Sequence, residues 1–375
     1  MISVLIAGDF CPQRRVSALF DKGDYASVLG EIRPSVMDAD YRIVNFECPV
    51  SDGNETAIVK KGPNLRCTEK GLEAARWVGF DCVTLANNHF YDYGDDGVTN
   101  TLAACKKYGL DTVGGGMNFA EASKVLYREI GGKKLAIVNC CEHESSIATD
   151  KSAGSNPLNP IEQYYSIIEA KKSADYVLVI VHGGHEMWQL PSPRMVQTYR
   201  FFIDAGADTV VNHHQHCFSG YEVYNGKPIF YGLGNFCFDK PDYFKGLWEF
   251  GYMVRLHLAE TISFDILPYE QCKKDPVVHK LDTHEEIDRK MAEINEIIAD
   301  DNKLSAETAR YYSKNPRSVR LAFEPYHGRV CSKLFLSGLL PGFMTKKKLI
   351  ALQNSLECES HRDRILYHLN HMLAE

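Results

Sequence analysis

Short apolar runs alternate with amphipathic segments along the first 211 residues of the chain. The runs are rich in Val, Ile and Leu, and they predict strands at residues 2–7, 41–46, 81–86, 134–139, 176–181 and 208–211. Between them, apolar residues recur at helical spacing and predict helices at residues 69–78, 95–108, 161–173 and 193–205. Strands that alternate with helices in this way predict an α/β fold with largely parallel sheets.

The pattern changes after residue 211. Apolar runs at 229–231, 252–258 and 262–267 predict further strands, and the last two have no helix between them, which indicates an antiparallel ending to the sheet. From about residue 280 the chain becomes helical and more charged, with two apolar stripes formed by Ile287, Met291, Ile294 and Ile298 and by Leu349, Leu352 and Leu356. We therefore expect a domain at 1–275 and a helical C-terminal extension at 276–375, packed on the core or on the second subunit of a homodimer.

Side chains of the types that bind metals follow five of the predicted strands. They are Asp9, Glu47, Asn88 with its neighbour His89, His182, and the cluster of His213, His214 and His216. Open α/β sheets build their sites at the carboxyl ends of the strands. Each feature is weak alone, since a lone strand-end histidine is more often a satisfied polar residue and Asn87-Asn88 fits simple turn chemistry. Their recurrence at five strand ends is the evidence for a metal centre.

The ligand types indicate which ions and which reaction fit. Carboxylate, amide and imidazole groups together suit manganese, iron or zinc better than calcium or copper. One tetrahedral ion uses four ligands, and this set offers six side chains, so it predicts two divalent ions bridged by a carboxylate, an arrangement that serves phosphoryl displacement. The six side chains are Asp9, Glu47, Asn88, His182, His214 and His216. His89 is then the expected acid for the leaving oxygen, with Asp92 three residues later to orient it. Strand alternation aims His213 away from the ligand cluster.

Charged and polar residues near these strand ends are the expected substrate contacts, and the partner is expected to be an anionic small molecule or glycan precursor. Basic side chains that face the same mouth would attract an anionic group, although loop lysines and arginines are usually only solvated. The basic residues are Arg14, Lys60, Lys61 and Arg66, and the predicted substrate-binding set is Arg14, Lys61, Arg66, Glu186 and Asn235. Glu186 and its neighbour His185 suit either the support of a ligand or the pocket wall.

One long loop interrupts the pattern. The stretch Ser145–Pro160 is rich in Ser, Asn, Gly and Pro and shows no hydrophobic period. A loop of this length in a compact domain is either mobile or a lid over a site.

Composition and charge narrow the function classes. The net charge of −7 argues against a general nucleic-acid binder, which is more often basic. None of the 12 cysteines forms a Cys-x-x-Cys pair, which argues against a structural zinc knuckle, and many free thiols fit a reducing cytoplasm. Asp9 interrupts the first apolar run before a signal sequence forms, and no stretch of about 18 apolar residues is present. We therefore expect a cytoplasmic protein without a membrane span.

Seven short motifs, taken in chain order, resemble the CapA family of poly-gamma-glutamate capsule synthesis proteins (PGA_cap). That family is a branch of the calcineurin-like metallophosphoesterase superfamily. The motifs span about residues 2–270, and the most specific pieces are Asn-Asn-His at 87–89 and Gly-Asn-Phe at 234–236. The motifs are Gly8-Asp9, Asn45–Val50, Leu85–Gly94, His182–Glu186, Ala205–Asp208, His213–His216 and Tyr231–Phe236.

The resemblance implies a four-layer α/β/β/α sandwich with the site at the sheet edges. It also implies that His89 is the catalytic acid near the leaving group. The ligands that it implies are Asp9 and His216 for one ion, Asn88, His182 and His214 for the other, and Glu47 as the bridge.

Three positions depart from the family pattern. Cys11 stands where phosphoesterases place a histidine two residues after the first Asp, so it either substitutes as a thiolate ligand or leaves that metal position weaker. Glu47 replaces the superfamily's usual bridging Asp, and Gly183 occupies a position that is usually aromatic. Many family members also carry a membrane anchor, which is not expected for this chain.

Three hypotheses of function follow. The leading one is a metal-dependent phosphoester hydrolase that acts on a capsule or other surface-polymer precursor. The alternative is a non-catalytic or accessory component of a capsule or poly-gamma-glutamate synthesis complex, with a degenerate metal site. A third uses the acids and bases of the pocket for peptide or amide chemistry without metal, and the dense histidine cluster argues against it.

Overall fold

The computed structural model describes residues 2–240, 246–314 and 321–357, together with residues 365, 369, 372 and 373. Contacts between residues divide the chain into two units, Met1–Ser305 and Ala306–Glu375. The first unit contains two large sheets with helices on their outer faces, and the second is helical.

The strands and helices of the described residues are numbered in chain order. The strands are β1 (Ile2–Phe10), β2 (Tyr41–Phe46), β3 (Cys82–Thr84), β4 (Asp111–Val113), β5 (Gly115–Gly116), β6 (Leu126–Ile130), β7 (Lys133–Cys141), β8 (Gly154–Ser155), β9 (Tyr176–His182), β10 (Thr209–His213), β11 (Tyr221–Tyr224), β12 (Lys227–Phe230), β13 (Asn235–Cys237), β14 (Phe250–Leu258), β15 (Ser263–Gln271) and β16 (Val278–Lys280). The helices are α1 (Arg14–Phe20), α2 (Ala26–Leu29), α3 (Arg33–Met37), α4 (Lys70–Val78), α5 (Gly94–Tyr108), α6 (Phe119–Ala122), α7 (Pro160–Lys171), α8 (Pro193–Asp204), α9 (Glu285–Ile298), α10 (Asp301–Tyr312), α11 (Gly328–Leu336) and α12 (Lys346–Glu357).

The first sheet has the order β16-β15-β14-β1-β2-β3-β4, and β13 pairs with the end of β1. Strands β1 to β4 run parallel, with Ile6 of β1 opposite Ile43 of β2. Strand β14 runs antiparallel to β1 and to β15, which confirms the antiparallel ending predicted for the last strands.

The second sheet has the order β11-β12-β10-β9-β7-β6. Its central strands β7, β9, β10 and β12 are parallel, and β6 and β11 form the two edges as antiparallel strands. Strand β9 is apolar and buried along nearly its whole length, as expected for a strand that is covered on both faces.

The two sheets face each other across an apolar core, and helices cover both outer faces. One core cluster joins Val4 and Ile6 of β1 with residues of β7, β9 and β10 and with the apolar faces of α7 and α8. The other cluster lies between the first sheet and helices α1 to α5, and it includes Phe10, Phe46 and Phe80. The layers are therefore helix, sheet, sheet and helix, and the predicted four-layer α/β/β/α sandwich is confirmed.

The predicted helices form with small shifts at their ends. Helices α4, α5, α7 and α8 occupy the segments predicted at 69–78, 95–108, 161–173 and 193–205. Helix α8 begins where Ser192 accepts a hydrogen bond from Met195 N–H, with Pro193 at the first helical position. Asn159 caps α7 in the same way by accepting from Ile161 N–H. These caps fix where the two helices start beside the second sheet.

The C-terminal extension divides into a buried and an exposed part. The predicted apolar stripe of α9, formed by Ile287, Met291, Ile294 and Ile298, belongs to the core cluster of the first unit. In the second unit Leu349 and Leu356 of α12 are exposed. The rest of the predicted extension, at 315–320 and over most of 358–375, lies outside the described residues, and a domain boundary near residue 275 stays a prediction. None of the described helices has the length and apolar character that crossing a membrane requires.

Candidate metal centre

The carboxyl ends of β1 and β2 bring two buried carboxylates together. Asp9 lies one residue before the end of β1, and Glu47 directly follows β2 and donates its backbone N–H to Phe10 O at 3.0 Å. A Cβ at Gly8 would lie only 1.9 Å from Gly234 O. Because Gly8 has no side chain, β13 approaches closely, and Asp9 N–H donates to Gly234 O at 3.0 Å. In the Gly-Asp pair, Gly8 therefore allows the close strand contact, and Asp9 supplies the candidate ligand.

Glu47 is fully buried, and neither of its carboxylate oxygens has a hydrogen-bond partner among the described residues. Its Oε1 lies 3.7 Å from His182 Nε2 and 3.6 Å from His216 Nε2. Burial, and then the charge of Asp9, raises the pKa of Glu47 well above its ordinary value. A buried carboxylate without partners is unfavourable, and a bound cation satisfies it.

His182, His214 and Asn88 direct their side chains to one place. His182 Nε2 lies 3.0 Å from Asn88 Oδ1 and 3.1 Å from His214 Nδ1. His182 ends β9, Asn88 follows β3, and His214 follows β10, so three strand ends supply them. Ligand atoms about 2.1 Å from a shared ion lie roughly 3 Å from one another. The spacing of these three side chains fits one coordination shell.

A strained turn directs His214 and His216 into the site. Their φ angles are 90° and 54°, in a region that residues other than glycine occupy rarely and at a cost of about 1–3 kcal/mol each. Asp9 Oδ2 accepts a hydrogen bond from His214 N–H at 3.2 Å. Between the two histidines, Gln215 Nε2 donates to Trp188 O at 3.0 Å and holds the turn in place. Backbone strain that is held in this way clusters at functional sites.

Asn235 fixes the ring of His216. Its Oδ1 lies 2.9 Å from His216 Nδ1, and its Nδ2 donates to His216 O at 3.1 Å. A proton on Nδ1 leaves the lone pair on Nε2, the nitrogen that faces Glu47 Oε1. Trp248 packs against the same imidazole, with ring centroids 4.6 Å apart. Asn235 is itself fully buried, so the structure places this predicted substrate contact beneath His216.

Two groups of three metal-binding side chains occur among the described residues, and both contain Glu47. The groups are Asp9, Glu47 and His182, and Glu47, His214 and His216, with the ligand atoms of each group within 4.8 Å of one another. These two groups contain five of the six predicted ligands, and the sixth, Asn88, lies beside His182, so all six are buried at one place. The unpartnered oxygens of Glu47 and the mixed oxygen and nitrogen donors fit divalent manganese, iron or zinc.

Burial sets the protonation of these side chains. It lowers the pKa of His214 to about 4, helped by the charge of His216. It also lowers the pKa of His182 well below its ordinary value, with the charge of His214 as the next cause. Burial raises the pKa of Asp9, but the hydrogen bond with His216 and the charge of His213 outweigh it, and the pKa falls below its ordinary value. Neutral imidazoles and an ionised carboxylate are the forms that bind metals.

His89 stands next to the ligand set and is bonded to Asp92. His89 Nδ1 lies 2.6 Å from Asp92 Oδ2, which also accepts Leu65 N–H at 2.6 Å. The ammonium of Lys60 forms an ion pair with Asp92 Oδ1 and lies 3.1 Å from His89 Nδ1. Burial lowers the pKa of His89 below its ordinary value, against the opposing hydrogen bond with Asp92. Lys60 therefore turns inward, which differs from its expected position facing a substrate.

The turn that carries Asn88 and His89 rests on the long segment 145–160. Ser146 Oγ donates to Asn88 O at 2.7 Å, and Ser155 Oγ donates to Asn87 O at 2.8 Å. Both serines are buried. Two buried serines of this segment therefore support the turn, and whether the segment also acts as a lid stays a prediction.

Asn45 belongs to the site but is not predicted from the sequence. Its Nδ2 donates to Asp9 Oδ1 at 2.7 Å and lies 3.2 Å from His182 Nδ1. It thereby links a candidate ligand of the first sheet to a candidate ligand of the second. Its place on β2 two residues before Glu47, on the same side of the strand, is the signal that points to it.

The predicted substrate contacts lie in different environments. Four of them are exposed: Arg14, Lys61, Arg66 and Glu186. The Arg66 guanidinium lies 5.8 Å from the ring centroid of Tyr93. Lys240, which the sequence does not mark, is partly buried with its ammonium 3.8 Å from the ring centroid of Trp248. Burial lowers the pKa of Lys240, and the charge of Glu47 opposes this shift.

Three residues near the candidate ligands, Cys11, His213 and Gly183, do not belong to the two ligand groups. Cys11 is buried and belongs to neither ligand group found among the described residues. His213 Nε2 lies 3.0 Å from Ala7 O, outside the ligand set, in keeping with its expected direction. A Cβ at Gly183 would lie 2.6 Å from Glu142 Cγ, so Glu142 occupies the space next to this glycine.

In the metal-free protein, we expect the Glu47→Gln variant to become more stable than the unchanged protein as pH rises. With a raised pKa, folded Glu47 keeps a proton that the unfolded chain releases above about pH 4.3. The free energy of unfolding of the unchanged protein then falls by up to about 1.4 kcal/mol per pH unit until the folded carboxyl ionises, and the glutamine variant escapes this loss. Urea unfolding of both proteins in chelator, between about pH 5 and 8, measures the difference. A difference that stays constant across this range would refute the raised pKa.

The chain is similar in sequence to a family of bacterial capsule synthesis proteins. The family model described as bacterial capsule synthesis protein PGA_cap matches residues 3–240. The capsule biosynthesis protein CapA of Bacillus anthracis is 32% identical over 75% of this chain and 71% of its own length. The PGA biosynthesis protein CapA of Bacillus subtilis is 31% identical over 76% of this chain and 75% of its own length. A solved phosphatase structure from Mycoplasma pneumoniae aligns over 74% of this chain and 94% of its own, at 15% identity and a TM-score of 0.46.

Proposed function

Because this chain belongs to the bacterial capsule synthesis family PGA_cap, we propose that it is a metal-dependent phosphoester hydrolase acting on a capsule or other surface-polymer precursor. Family membership supports the biological process, and the candidate metal centre supports the reaction. The proposed centre takes two divalent ions, drawn from manganese, iron and zinc.

The environment of Glu47 carries the proposal. Its oxygens are buried and unpartnered, and Oε1 faces imidazole nitrogens of His182 and His216. An ionised carboxylate is tolerated in such a place when cations compensate it. Glu47 is also common to both groups of candidate ligands, and each group combines residues proposed for the two different ions, so the carboxylate of Glu47 lies between the two proposed ligand sets.

The chain's own residues hold the ligands in place. The proposed ligands are Asp9 and His216 for one ion, Asn88, His182 and His214 for the other, and Glu47 for both. Asn45 holds the carboxylate of Asp9, and Asn235 holds the ring of His216, so we reassign Asn235 from substrate binding to the support of this ligand. Ions held by these residues would activate a water molecule near neutral pH and would stabilise the reacting oxygens of a phosphoryl group.

His89 is the proposed acid for the leaving oxygen. It directly follows Asn88, and the contact of its Nδ1 with Asp92 Oδ2 at 2.6 Å leaves Nε2 for the substrate. To act as the acid, the ring first takes up a proton at Nε2, and the lowered pKa of His89 favours the transfer of that proton to the leaving oxygen. The exposed Arg14, Lys61 and Arg66 are the proposed contacts of the anionic substrate, with Glu186 at the rim.

Cys11 favours a second candidate function, an accessory role in a capsule or poly-gamma-glutamate synthesis complex. The thiol belongs to neither ligand group, so the Asp9 side of the centre has fewer converging ligands. A site that binds one ion weakly would suit a component that assembles with partners. In either role we propose a cytoplasmic protein that forms a homodimer through its C-terminal helices, where Leu349 and Leu356 are exposed.

Hydrolysis of a panel of phosphomonoesters and phosphodiesters tests the proposed function. The purified chain is assayed with manganese, after removal of metal by a chelator, and after manganese is added back. We expect turnover that disappears with the chelator and returns with the ion. Lys172→Met, at the exposed residue that directly follows α7 and pairs with Glu169, is the matched control with unchanged activity. Bound ions without turnover of any ester would favour the accessory role.

A further inference from the structure

The loop between Ile58 and Leu65 is fastened to Asp92 at both of its ends. Ile58 N–H donates to Asp92 O at 3.0 Å, and Leu65 N–H donates to Asp92 Oδ2 at 2.6 Å. Asn64 Nδ2 donates to Ile58 O at 2.9 Å and closes the loop on itself. Asp92 therefore connects this loop to the turn that carries His89.

Lys60 extends from the middle of this loop into the protein. Only 4% of its side chain is exposed, and Asp92 is fully buried. The ammonium forms an ion pair with Asp92 Oδ1, and it also donates to Asn88 O at 3.3 Å. A buried carboxylate requires a compensating cation, and Lys60 supplies it. With its ammonium occupied in this way, Lys60 has a different task from the exposed Lys61 beside it.

The two contacts of His89 Nδ1 are of opposite kinds. Asp92 Oδ2, at 2.6 Å, requires a proton on Nδ1. A protonated Nδ1 does not accept a hydrogen bond from the Lys60 ammonium 3.1 Å away. Lys60 therefore acts on His89 through Asp92, whose Oδ1 it neutralises while Oδ2 holds the ring. In this arrangement Nε2 is the ring nitrogen left for the reaction.

We propose that Lys60 is a positioning residue for the reaction: it fixes Asp92 so that Asp92 accepts the Nδ1 proton of His89. Nε2 is then directed to the leaving oxygen as the nitrogen that takes up a proton and donates it to that oxygen. This inference rests on the proposed hydrolase function. The same ammonium fastens the loop that carries Lys61, a proposed substrate contact, to the turn that carries the acid. The buried Lys60 thus fixes the position of the loop that carries Lys61 relative to His89.

The first test does not depend on turnover. Nitrogen-15 NMR of the histidine-labelled full chain measures which ring nitrogen of His89 carries the proton, and the His89→Asn variant identifies its signals. We expect a single Nδ1–H tautomer in the unchanged protein and in Lys60→Arg, which keeps the positive charge. We expect a mixture of both tautomers in Lys60→Met. The same single tautomer in Lys60→Met overturns the proposal whether or not the protein hydrolyses phosphoesters.

The second test compares two leaving groups. An aryl ester with a good leaving group, such as a 4-nitrophenyl phosphoester, needs little protonation, whereas an alkyl phosphoester needs much more. We expect Lys60→Met to lower kcat on the alkyl ester about tenfold more than on the aryl ester, with KM unchanged, and Lys60→Arg to recover most of this loss. The ratio of the two kcat values is independent of the fraction of folded enzyme. Lys172→Met again serves as the control.

The outcomes separate the roles of Lys60. Equal losses on both esters mean that Lys60 serves only folding, and a raised KM at unchanged kcat means that it binds substrate directly; either result overturns the proposal. Absence of turnover by the unchanged, metal-loaded protein removes the proposed function instead. In that case the NMR measurement alone decides whether Lys60 positions His89.

Discussion

Replacing His214 with alanine is expected to abolish metal-dependent phosphoester hydrolysis, with kcat/KM reduced by at least about 10³-fold. Loss of a residue that merely supports a metal ligand costs about 10–100-fold, and a direct ligand is worth more. His214 Nδ1 lies 3.1 Å from His182 Nε2, so its loss opens the coordination shell that Asn88 and His182 begin. Steady-state kinetics over a range of manganese concentrations measure the effect, and thermal unfolding with and without manganese measures the loss of metal-induced stabilisation.

His213→Gln is the matched control for this variant. His213 lies in the same cluster, but its Nε2 is 3.0 Å from Ala7 O, and the glutamine amide retains a donor for that carbonyl. Its kcat/KM should stay within a few-fold of the unchanged protein. Activity of His214→Ala within about tenfold of the unchanged protein would remove His214 from the ligand set.

Replacing His89 with asparagine is expected to lower kcat on alkyl phosphoesters by about 10²–10⁴-fold, the usual contribution of a general acid. The bound metal should remain, because His89 belongs to neither group of converging ligands among the described residues. Since the loss arises from protonation of the leaving oxygen, it should grow as the leaving group becomes more basic. A series of aryl and alkyl esters measures this dependence, and elemental analysis of the variant measures the metal. An equal loss on all esters, or a loss of bound ions, would assign His89 a different role.

The long periodic segments of the fold are predictable from the sequence, and the short strands are not. Helices α5 and α8 repeat apolar residues over enough positions to define a helical period, and strand β9 is a continuous apolar run of the length of a buried strand. Strand β13, by contrast, has three residues, and it exists because Asn235 pairs with Asp9, more than 200 positions away along the chain. No local pattern records such a pairing. The same holds for β4, which pairs with β3 over three residues.

The ligand positions are also predictable, because parallel strands bring their carboxyl ends to one edge. His182 and His214 follow or end neighbouring strands of the second sheet, so topology brings these two together, and the packing of the two sheets adds Asp9 from β1. The supporting residues depend on packing instead. Lys60 and Lys61 are identical neighbours in the sequence, yet one is buried against Asp92 and the other is exposed. That difference follows from the loop closing on Asp92, which the sequence does not show.

The role of polar loop residues is also difficult to predict from the sequence. Ser146 and Ser155 lie in a stretch whose composition is that of a solvated loop, but both are buried and donate to the backbone of the Asn87-Asn88 turn. The sequence does not distinguish a serine that donates to a buried carbonyl from a serine exposed to water. The difference depends on which backbone groups are buried and need hydrogen-bond partners in the folded chain.

Metal stoichiometry tests the central claim of a shared carboxylate between two ions most directly. The protein is purified without chelating resin, incubated with manganese, separated from free ions and subjected to elemental analysis, with Glu47→Gln treated in parallel. If Glu47 bridges a dinuclear centre, the unchanged protein holds close to two ions per chain and the Glu47→Gln variant holds fewer. A single ion per chain in both proteins, or none, would contradict the dinuclear centre and the role of Glu47 within it.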